Sequence, residues 1–390
     1  MNGWTQRAMH SLSSAISTIF RTAFHVPSQV PPMPRVLVIK TSSMGDVIHN
    51  LPVVADLHRA RPDAIVDWVV EEAYVDLVRM HPGVANVIPI ALRRWRAEGL
   101  GAATREERHA FRAQLREHAY DVVLDTQGLL KSALIARSAR LAEGGVRAGF
   151  SFGLVREGLA RLFYDRGYRV DRRLHAVERL RALAAAALGY AGTELGMPQF
   201  GLHVPPQRFE WLGAAEPDAP EPSASDARCV TPAPRRYVVL LYATARAEKA
   251  WPPERWKELI HSLDQAGIVP VLPWGNAAEE AMARGLALDS AAPNGAIVAP
   301  RLSLTEAAAL LAGASGVVGV DTGLTHLSAA LDVRTVGLFG ATPRWRYAPY
   351  WTPRAINLGN FGELGAQPSV AAVADALRRL GVLEGDGGHG

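Results

Sequence analysis

Three observations predict an α/β protein built from two Rossmann-like halves. Short β-branched apolar runs alternate with longer stretches of helical periodicity along most of the 390 residues. The alternation breaks once, in a stretch rich in Pro, Ala, Ser and Asp, and then restarts. The run Val317-Val318-Gly319-Val320 stops at Asp321-Thr322-Gly323 and passes at once into a helix-forming stretch, the pattern of a βα turn at the carboxyl end of a parallel strand.

Residues 35–40 set the apolar run Val36-Leu37-Val38-Ile39 between Arg35 and Lys40, the pattern of a buried strand. Residues 41–46 are small and polar and read as a loop, and residues 47–61 keep helical spacing until Pro62 ends them. Strand 65–70, helix 74–80 and strand 84–90 follow, then the charged amphipathic helix 105–118 and strand 120–124, which leads into Asp125-Thr126-Gln127-Gly128. Residues 205–236 lack apolar periodicity and include Glu216-Pro217-Asp218-Ala219-Pro220-Glu221-Pro222, the composition of a linker. Beyond it come strand 237–242, helix 253–265, strand 268–272, helix 277–286 and strand 297–300. Helix 305–312, strand 316–320, the helix opened by Gly323, a last strand 335–339 and a last helix 370–380 complete the chain. The expected organisation is a disordered leader over 1–32, a first domain over 33–205, a linker over 206–236, a second domain over 237–365, and a C-terminal helix and tail over 366–390. Doubly wound halves bind ligands at the carboxyl ends of their strands, so the two parallel sheets are expected to face one interdomain cleft.

Composition narrows the class. Hydrophobic residues make up 48% of the chain, yet no apolar run reaches the length of a membrane span, so the chain reads as a soluble globular protein. Cys229 is the lone cysteine, which excludes an intramolecular disulfide and a multi-cysteine metal site and fits a reducing compartment. A formal net charge of +4 is too mild to indicate nucleic acid. No Asp or Glu precedes Asp46, and the leader carries Arg7, Arg21 and the apolar patch Ala15-Ile16-Ser17-Thr18-Ile19-Phe20. A targeting or membrane-surface segment has that composition, but with no signal-peptide core the reading is a disordered leader, the folded part opening at Met33.

Candidate chemistry gathers where strands end. Asp46 stands at a helix start beside Ser42, Ser43 and Gly45, as a cap or as a general base at the mouth of a cleft. Arg93-Arg94-Trp95-Arg96 is either a solvated surface turn or a grip for carboxylates and phosphates, a field that Lys131 and Arg156 would extend. Thr244 and Lys249 follow the first strand of the second half, where a diphosphate would meet a hydroxyl and a cation. Glu279, after Trp274-Gly275, suits either a ribose diol or the positive end of its own helix. At the central turn, Asp321 or Thr322 can cap the helix, Gly323 permits close approach, and the unpaired N–H groups suit a phosphate.

Several signals are missing. No Gly-rich dinucleotide fingerprint, Walker loop, His-Glu-x-x-His motif or Asp-x-Asp pair occurs, so nicotinamide, P-loop and metal-dependent schemes are not favoured. Gly149-Phe150-Ser151-Phe152-Gly153 matches a nucleophile elbow in letters alone, because its flanks lack the strand-turn-helix pattern.

The combined segments resemble the lipopolysaccharide inner-core heptosyltransferases, in particular those that add the first heptose. The resemblance rests on Lys40-Thr41-Ser42-Ser43-Met44-Gly45-Asp46, Trp68-Val69-Val70-Glu71-Glu72, Arg93-Arg94-Trp95-Arg96 and Asp125-Thr126-Gln127-Gly128. It continues through His175-Ala176-Val177-Glu178-Arg179, Leu272-Pro273-Trp274-Gly275 and Asp321-Thr322-Gly323-Leu324-Thr325-His326, and covers residues 33–385 apart from the linker. It implies the GT-B fold, with an acceptor domain followed by a sugar-nucleotide domain. The implied reaction is inverting transfer of L-glycero-D-manno-heptose from its ADP derivative to Kdo of Kdo-lipid A. No cofactor or metal is implied, nor a nucleic-acid partner. The expected location is cytoplasmic, peripheral on the inner face of the inner membrane.

By matching motif, Asp46 would be the base, Lys249 and Thr244 would hold the diphosphate, and the Asp321-Thr322-Gly323 turn would stabilise the departing ADP. His326 would line that pocket, Asp321 would reach heptose hydroxyls, and Glu279 would take the ribose. Ser43, Gly45, Arg93, Arg94, Arg96 and Arg156 would serve the acceptor. Two departures stand out: Ala245 replaces a second Thr that the family usually carries, and the Pro-rich linker is atypically long. The alternatives are a transferase acting on a heptose acceptor and a non-catalytic nucleotide-sugar-binding module.

Overall fold

The computed structural model describes residues 34–99, 101–190, 196–213, 236–292, 295–359 and 367–383. The expected leader, Met33, Cys229 and most of the expected linker lie outside the described residues. The chain divides into two compact units, one ending at His203 and one beginning at Val204.

The first unit alternates β1 (Arg35–Ile39), α1 (Met44–Ala60), β2 (Ile65–Glu71), α2 (Val75–Arg79), β3 (Asn86–Ile90), α3 (Leu92–Glu98) and α4 (Ala102–Leu115). It continues with β4 (Tyr120–Asp125), α5 (Leu130–Ser138), β5 (Leu141–Phe150), β6 (Arg166–Tyr168) and α6 (Ala176–Leu188). The six strands form a wholly parallel sheet in the order β3-β2-β1-β4-β5-β6. β1 sits in the middle, and Val36, Leu37, Val38 and Ile39 are buried. Each such side chain contributes about 1.5–3 kcal/mol through burial. Register pairs Ile39 with Val69 and with Asp125, which places the loops after β1, β2 and β4 side by side.

α6 packs on α1, and the contact includes a buried ion pair: Arg181 donates to Asp56 at 2.6 Å and to Glu178 at 2.9 Å. Removing one partner would strand a buried charge, at a cost of roughly 3–5 kcal/mol.

The second unit runs β7 (Tyr237–Leu241), α7 (Pro253–Gln265), β8 (Val269–Leu272), α8 (Ala277–Leu288), β9 (Ile297–Val298) and α9 (Leu304–Ala312). It ends with β10 (Gly316–Val320), α10 (Gly323–Ala330), β11 (Thr335–Leu338), α11 (Arg344–Tyr347), β12 (Ala355–Leu358) and α12 (Val370–Arg379). Its sheet is also six-stranded and parallel, in the order β12-β11-β10-β7-β8-β9. Central β10 is buried along its length, and Gly319 is required there: a Cβ would lie 2.2 Å from Thr325 Oγ1.

Several elements differ from expectation. α1 starts at Met44 rather than at residue 47, because Ser43 takes an extended cap conformation and Asp46 falls at the third helical position. The Arg-Arg-Trp-Arg run is not a surface turn but helix α3, with Trp95 buried. Thr335–Leu338 is not the last strand, since β12 pairs outside it. The described start of the expected linker, residues 206–213, includes the 3-10 turn Glu210–Leu212, and Phe209 is buried with its ring 5.3 Å from that of Trp211.

Candidate active site

In the first unit the chemistry sits on the loop between β1 and α1. Ser43 N–H donates to Asp46 Oδ2 at 3.2 Å and Ser43 Oγ to the same atom at 3.4 Å, so Asp46 does close the helix start. Gly45 occupies the helical position before it. The other carboxylate oxygen, Oδ1, lies 3.8 Å from Lys40 Nζ, and the Asp46 side chain stays one-third exposed. Capping uses one oxygen and leaves the carboxylate reachable.

Lys40 was not singled out by spacing, although an ionisable residue at the end of a buried strand is a signal in itself. Its ammonium is buried and donates to the Thr126 carbonyl at 3.3 Å. Burial pushes its pKa down, Asp46 and Asp125 oppose that, and the nearby guanidiniums of Arg156 and Arg179 add to the lowering. Gln127 fixes the loop itself, its Oε1 accepting from Thr41 N–H at 3.2 Å and Ser42 N–H at 3.4 Å. Asp125 in turn holds Gln127 and Gly128 through their N–H groups at 2.8 and 3.0 Å, and accepts from the Tyr164 hydroxyl at 2.7 Å.

The arginines separate by helical register. Arg94 is held by Glu72 and Glu107, with contacts of 3.1 and 2.9 Å, and by Glu98 at 3.3 Å. The acceptor role expected of Arg94 therefore meets a guanidinium already engaged by three carboxylates, with Glu107 also taking the Trp95 indole N–H. Arg93 points its guanidinium over the Tyr74 ring, 5.9 Å from the centroid, and its backbone N–H donates to Glu71 at 3.0 Å. Arg93, Arg96 and Arg156 are exposed, and Lys131 is half-buried. Ser151 follows β5 and enters a turn rather than a helix, so no nucleophile elbow forms.

In the second unit Asp321 is the centre. Its Oδ2 accepts from Lys249 Nζ at 2.5 Å and from Thr342 Oγ1 at 2.6 Å, and its Oδ1 accepts from His326 Nε2 at 3.0 Å. Burial alone would raise this carboxyl, but the hydrogen bond and charge of His326, then Lys249 and Thr342, outweigh it and hold the group well below the usual carboxylate range. The pairing of Gly319 with Leu241 places the loop after β7, which carries Lys249, beside the Asp321 turn.

Thr322, not Asp321, is the cap residue of α10, and neither side chain caps it: Thr322 Oγ1 instead lies 3.3 Å from Thr325 Oγ1. The first-turn N–H groups of an α-helix have no partner within the helix, so the start of α10 is suited to an anion. Gly323 is the first helical residue. Thr244 accepts from Arg246 N–H at 3.4 Å on the same loop as Lys249. Glu279 acts as a first-turn acid, Oε2 accepting from Gly275 N–H at 2.8 Å, while Asn276 caps α8. Thr342, which completes the Asp321 cluster, gave no sequence signal. Among the described residues no group of three or more His, Cys, Asp or Glu is placed to hold a metal.

A model of glycosyltransferase family 9 (heptosyltransferase) matches residues 108–375. The chain belongs to glycosyltransferase family 9. This heptosyltransferase is 43% identical over 79% of its length to lipopolysaccharide heptosyltransferase 1 of Escherichia coli K12, covering 88% of that protein. It is 44% identical to the Pseudomonas aeruginosa protein of the same name, over 79% of each chain. Lipopolysaccharide heptosyltransferase 2 of Salmonella typhimurium is 28% identical over 82% of this chain and 85% of its own. The solved structure of E. coli heptosyltransferase WaaC with ADP superposes with a TM-score of 0.74 at 38% identity, over 89% of this chain and 99% of that one. The chain is thus a glycosyltransferase with the two-sheet α/β fold of that structure, GT-B.

Proposed function

We propose that the chain performs the lipopolysaccharide heptosyltransferase 1 reaction, moving L-glycero-D-manno-heptose from its ADP derivative to Kdo of Kdo-lipid A with inversion. One observation carries the reading: a buried Asp321 binds Lys249 and His326 at the start of α10, a site built for a charged sugar nucleotide. Asp46 takes the proton of the acceptor hydroxyl, whose oxygen then forms the new glycosidic bond as the bond from the anomeric carbon to the diphosphate breaks. Charge developing on departing ADP is met by Lys249, the Thr244 hydroxyl and the first N–H groups of α10. Glu279 takes the ribose, and Asp321, Thr322, Gly323 and His326 line the donor site. Ser43, Gly45, Arg93, Arg96 and Arg156 serve the anionic acceptor, and Arg94 contributes by holding α3 in place.

The acceptor is lipid-anchored in this reading, so the protein works as a cytoplasmic, peripheral enzyme at the inner membrane. No described helix is long and apolar enough to cross a membrane. The Pro-rich linker expected over 206–236 joins the acceptor and donor domains in this reading.

The test is ADP release by purified protein given ADP-heptose and de-acylated Kdo-lipid A, wild type beside Asp46→Ala. Acceptor-dependent release that collapses in the variant supports transfer with Asp46 as base. Tight ADP binding with no release under any acceptor concentration would sink the assignment in favour of binding alone.

A further inference from the structure

The first unit carries an apolar surface that its own packing does not use. Leu134, Phe152, Leu159 and Leu162 are 49, 61, 63 and 67% exposed, and all fall within one stretch of the chain. Leu134, Leu159 and Leu162 stand on adjoining elements, because α5 packs against the 3-10 turn Gly158–Phe163, and Phe152 lies under the guanidinium of Arg161 from that turn. Leu130 N–H at the start of α5 donates to Glu157 at 2.6 Å, and Glu157 N–H donates to the Gly128 carbonyl at 3.0 Å, which pins the turn to the helix. Leu159 and Leu162 are three residues apart and so point to the same side of a 3-10 turn, while Ala160 is fully buried. On α5 the buried side is Ser132, Ala133, Ile135 and Ala136, and Leu134 shares the outer side with Lys131 and Arg137.

The stretch of chain that carries these side chains is basic. Residues 131–173 hold ten Lys and Arg against four Asp and Glu, a surplus of six in a chain whose formal net charge is +4. Three of the four acids are already engaged: Glu157 by Leu130, Asp165 by Arg147 and Asp171 by Arg173. Lys131, Arg137 and Arg156 form no ion pair with a described residue. The Arg161 guanidinium lies 5.6 Å from the centroid of the Phe152 ring. Apolar tips among uncompensated cations fit an anionic lipid surface, where leucines enter the headgroup layer and guanidiniums stay at phosphate level. A protein interface asks for the reverse, a core depleted of charge.

We propose that this face, centred on Leu159 and Leu162 and rimmed by Lys131, Arg137 and Arg156, docks on a bilayer with anionic headgroups. The inference rests on the reading that the acceptor is a lipid-anchored saccharide. Arg156 ties it to that reading, since it also acts electrostatically on Lys40, the neighbour of Asp46. A docked face would deliver a membrane-embedded acceptor next to the base.

The experiment is co-sedimentation of the full chain with vesicles of phosphatidylglycerol and phosphatidylcholine, or of phosphatidylcholine alone. Wild type should bind the anionic vesicles and release as NaCl rises toward roughly 0.5 M, where screening shortens to a few ångströms. A Leu159→Ser/Leu162→Ser variant should bind at least about tenfold more weakly, yet release ADP from ADP-heptose and de-acylated acceptor at the wild-type rate. Should that pair fail to fold, Arg137→Glu on the exposed side of α5 decides by the same readout. Vesicle binding unchanged in both variants overturns the proposal, as does a wild-type dimer that the leucine variant splits while neither protein binds lipid. Vesicle binding lost in the variants of a chain inert toward the acceptor would support the docking face and sink the transfer reading instead.

Discussion

Lys249 Nζ stands 2.5 Å from Asp321 Oδ2 and joins the loop after β7 to the start of α10 across 72 residues of sequence. The pair fixes the cation beside the helix start where the proposed diphosphate would lie. Lys249→Ala removes a charge that matters most when ADP departs, so kcat/KM should fall by about 10²–10³, the scale of losing one preorganised donor. Steady-state ADP release measures it, and a variant within twofold of wild type would remove Lys249 from the mechanism.

Asp321 also predicts a dependence of stability on pH. A carboxyl depressed in the folded state contributes stability that is complete above its unfolded value and is lost as pH falls through the folded one. Asp321 is depressed by His326, Lys249 and Thr342 against the opposing effect of burial. The Tm gap between wild type and Asp321→Asn should therefore hold steady from pH 7 to about 5 and narrow below about pH 4. A gap that widens on acidification would contradict the assignment.

The base and cap roles of Asp46 are separable by Asp46→Asn. An amide oxygen still accepts from Ser43 N–H, so the helix start survives and the loss in stability stays within about 0.5–2 kcal/mol, the range for caps. It cannot take a proton, and kcat should fall by about 10²–10⁴. Thermal melting beside single-turnover kinetics distinguishes the two. A stable variant with near-normal turnover would leave Asp46 as a cap.

The alternation of strands and helices was legible because both sheets are parallel and covered on both faces, so β1 and β10 appear as nearly uninterrupted apolar runs. The Asp321 turn was legible for the same reason, an apolar run stopping at a polar residue. Thr342 was not: it reaches Asp321 because β11 lies beside β10, a neighbourhood that 21 residues of sequence conceal. β5 was also hidden, since its Leu-Ala-Glu-Gly-Gly start is half-exposed near the sheet edge and carries no strand pattern. The three arginines of α3 look alike in sequence, and helical register alone gives Arg94 to Glu72 and Glu107.

That difference is testable. Arg94→Ala removes the guanidinium that links α3 to Glu72 and Glu107 and should lower Tm measurably. Arg96 is exposed on the same helix, so Arg96→Ala should leave stability within about 0.5 kcal/mol while raising the acceptor KM. Melting curves and acceptor titrations of both variants check the split. An Arg96→Ala enzyme with unchanged acceptor KM would remove that arginine from the acceptor site.

His81 supplies a second pH effect, of different origin. It is 4% exposed, and its Nδ1 accepts from Gly83 N–H at 3.0 Å while buried Nε2 has no hydrogen-bond partner among the described residues. Burial, then the charge of His58, lowers its pKa to about 4 against an ordinary 6.5, with a backbone hydrogen bond opposing. Protonation would also set an N–H against the Gly83 N–H. Between those two values the unfolded chain binds the proton and the folded one does not, so stability falls as pH drops from 6.5 toward 4. The full effect is about 3 kcal/mol for a shift of this size. In His81→Asn the side-chain oxygen still accepts from Gly83 but cannot titrate, so the variant loses some stability near pH 7.5 and shows a flatter decline on acidification. Parallel Tm curves for the two proteins between pH 7.5 and 4 would mean that some other group carries the acid sensitivity of the first unit.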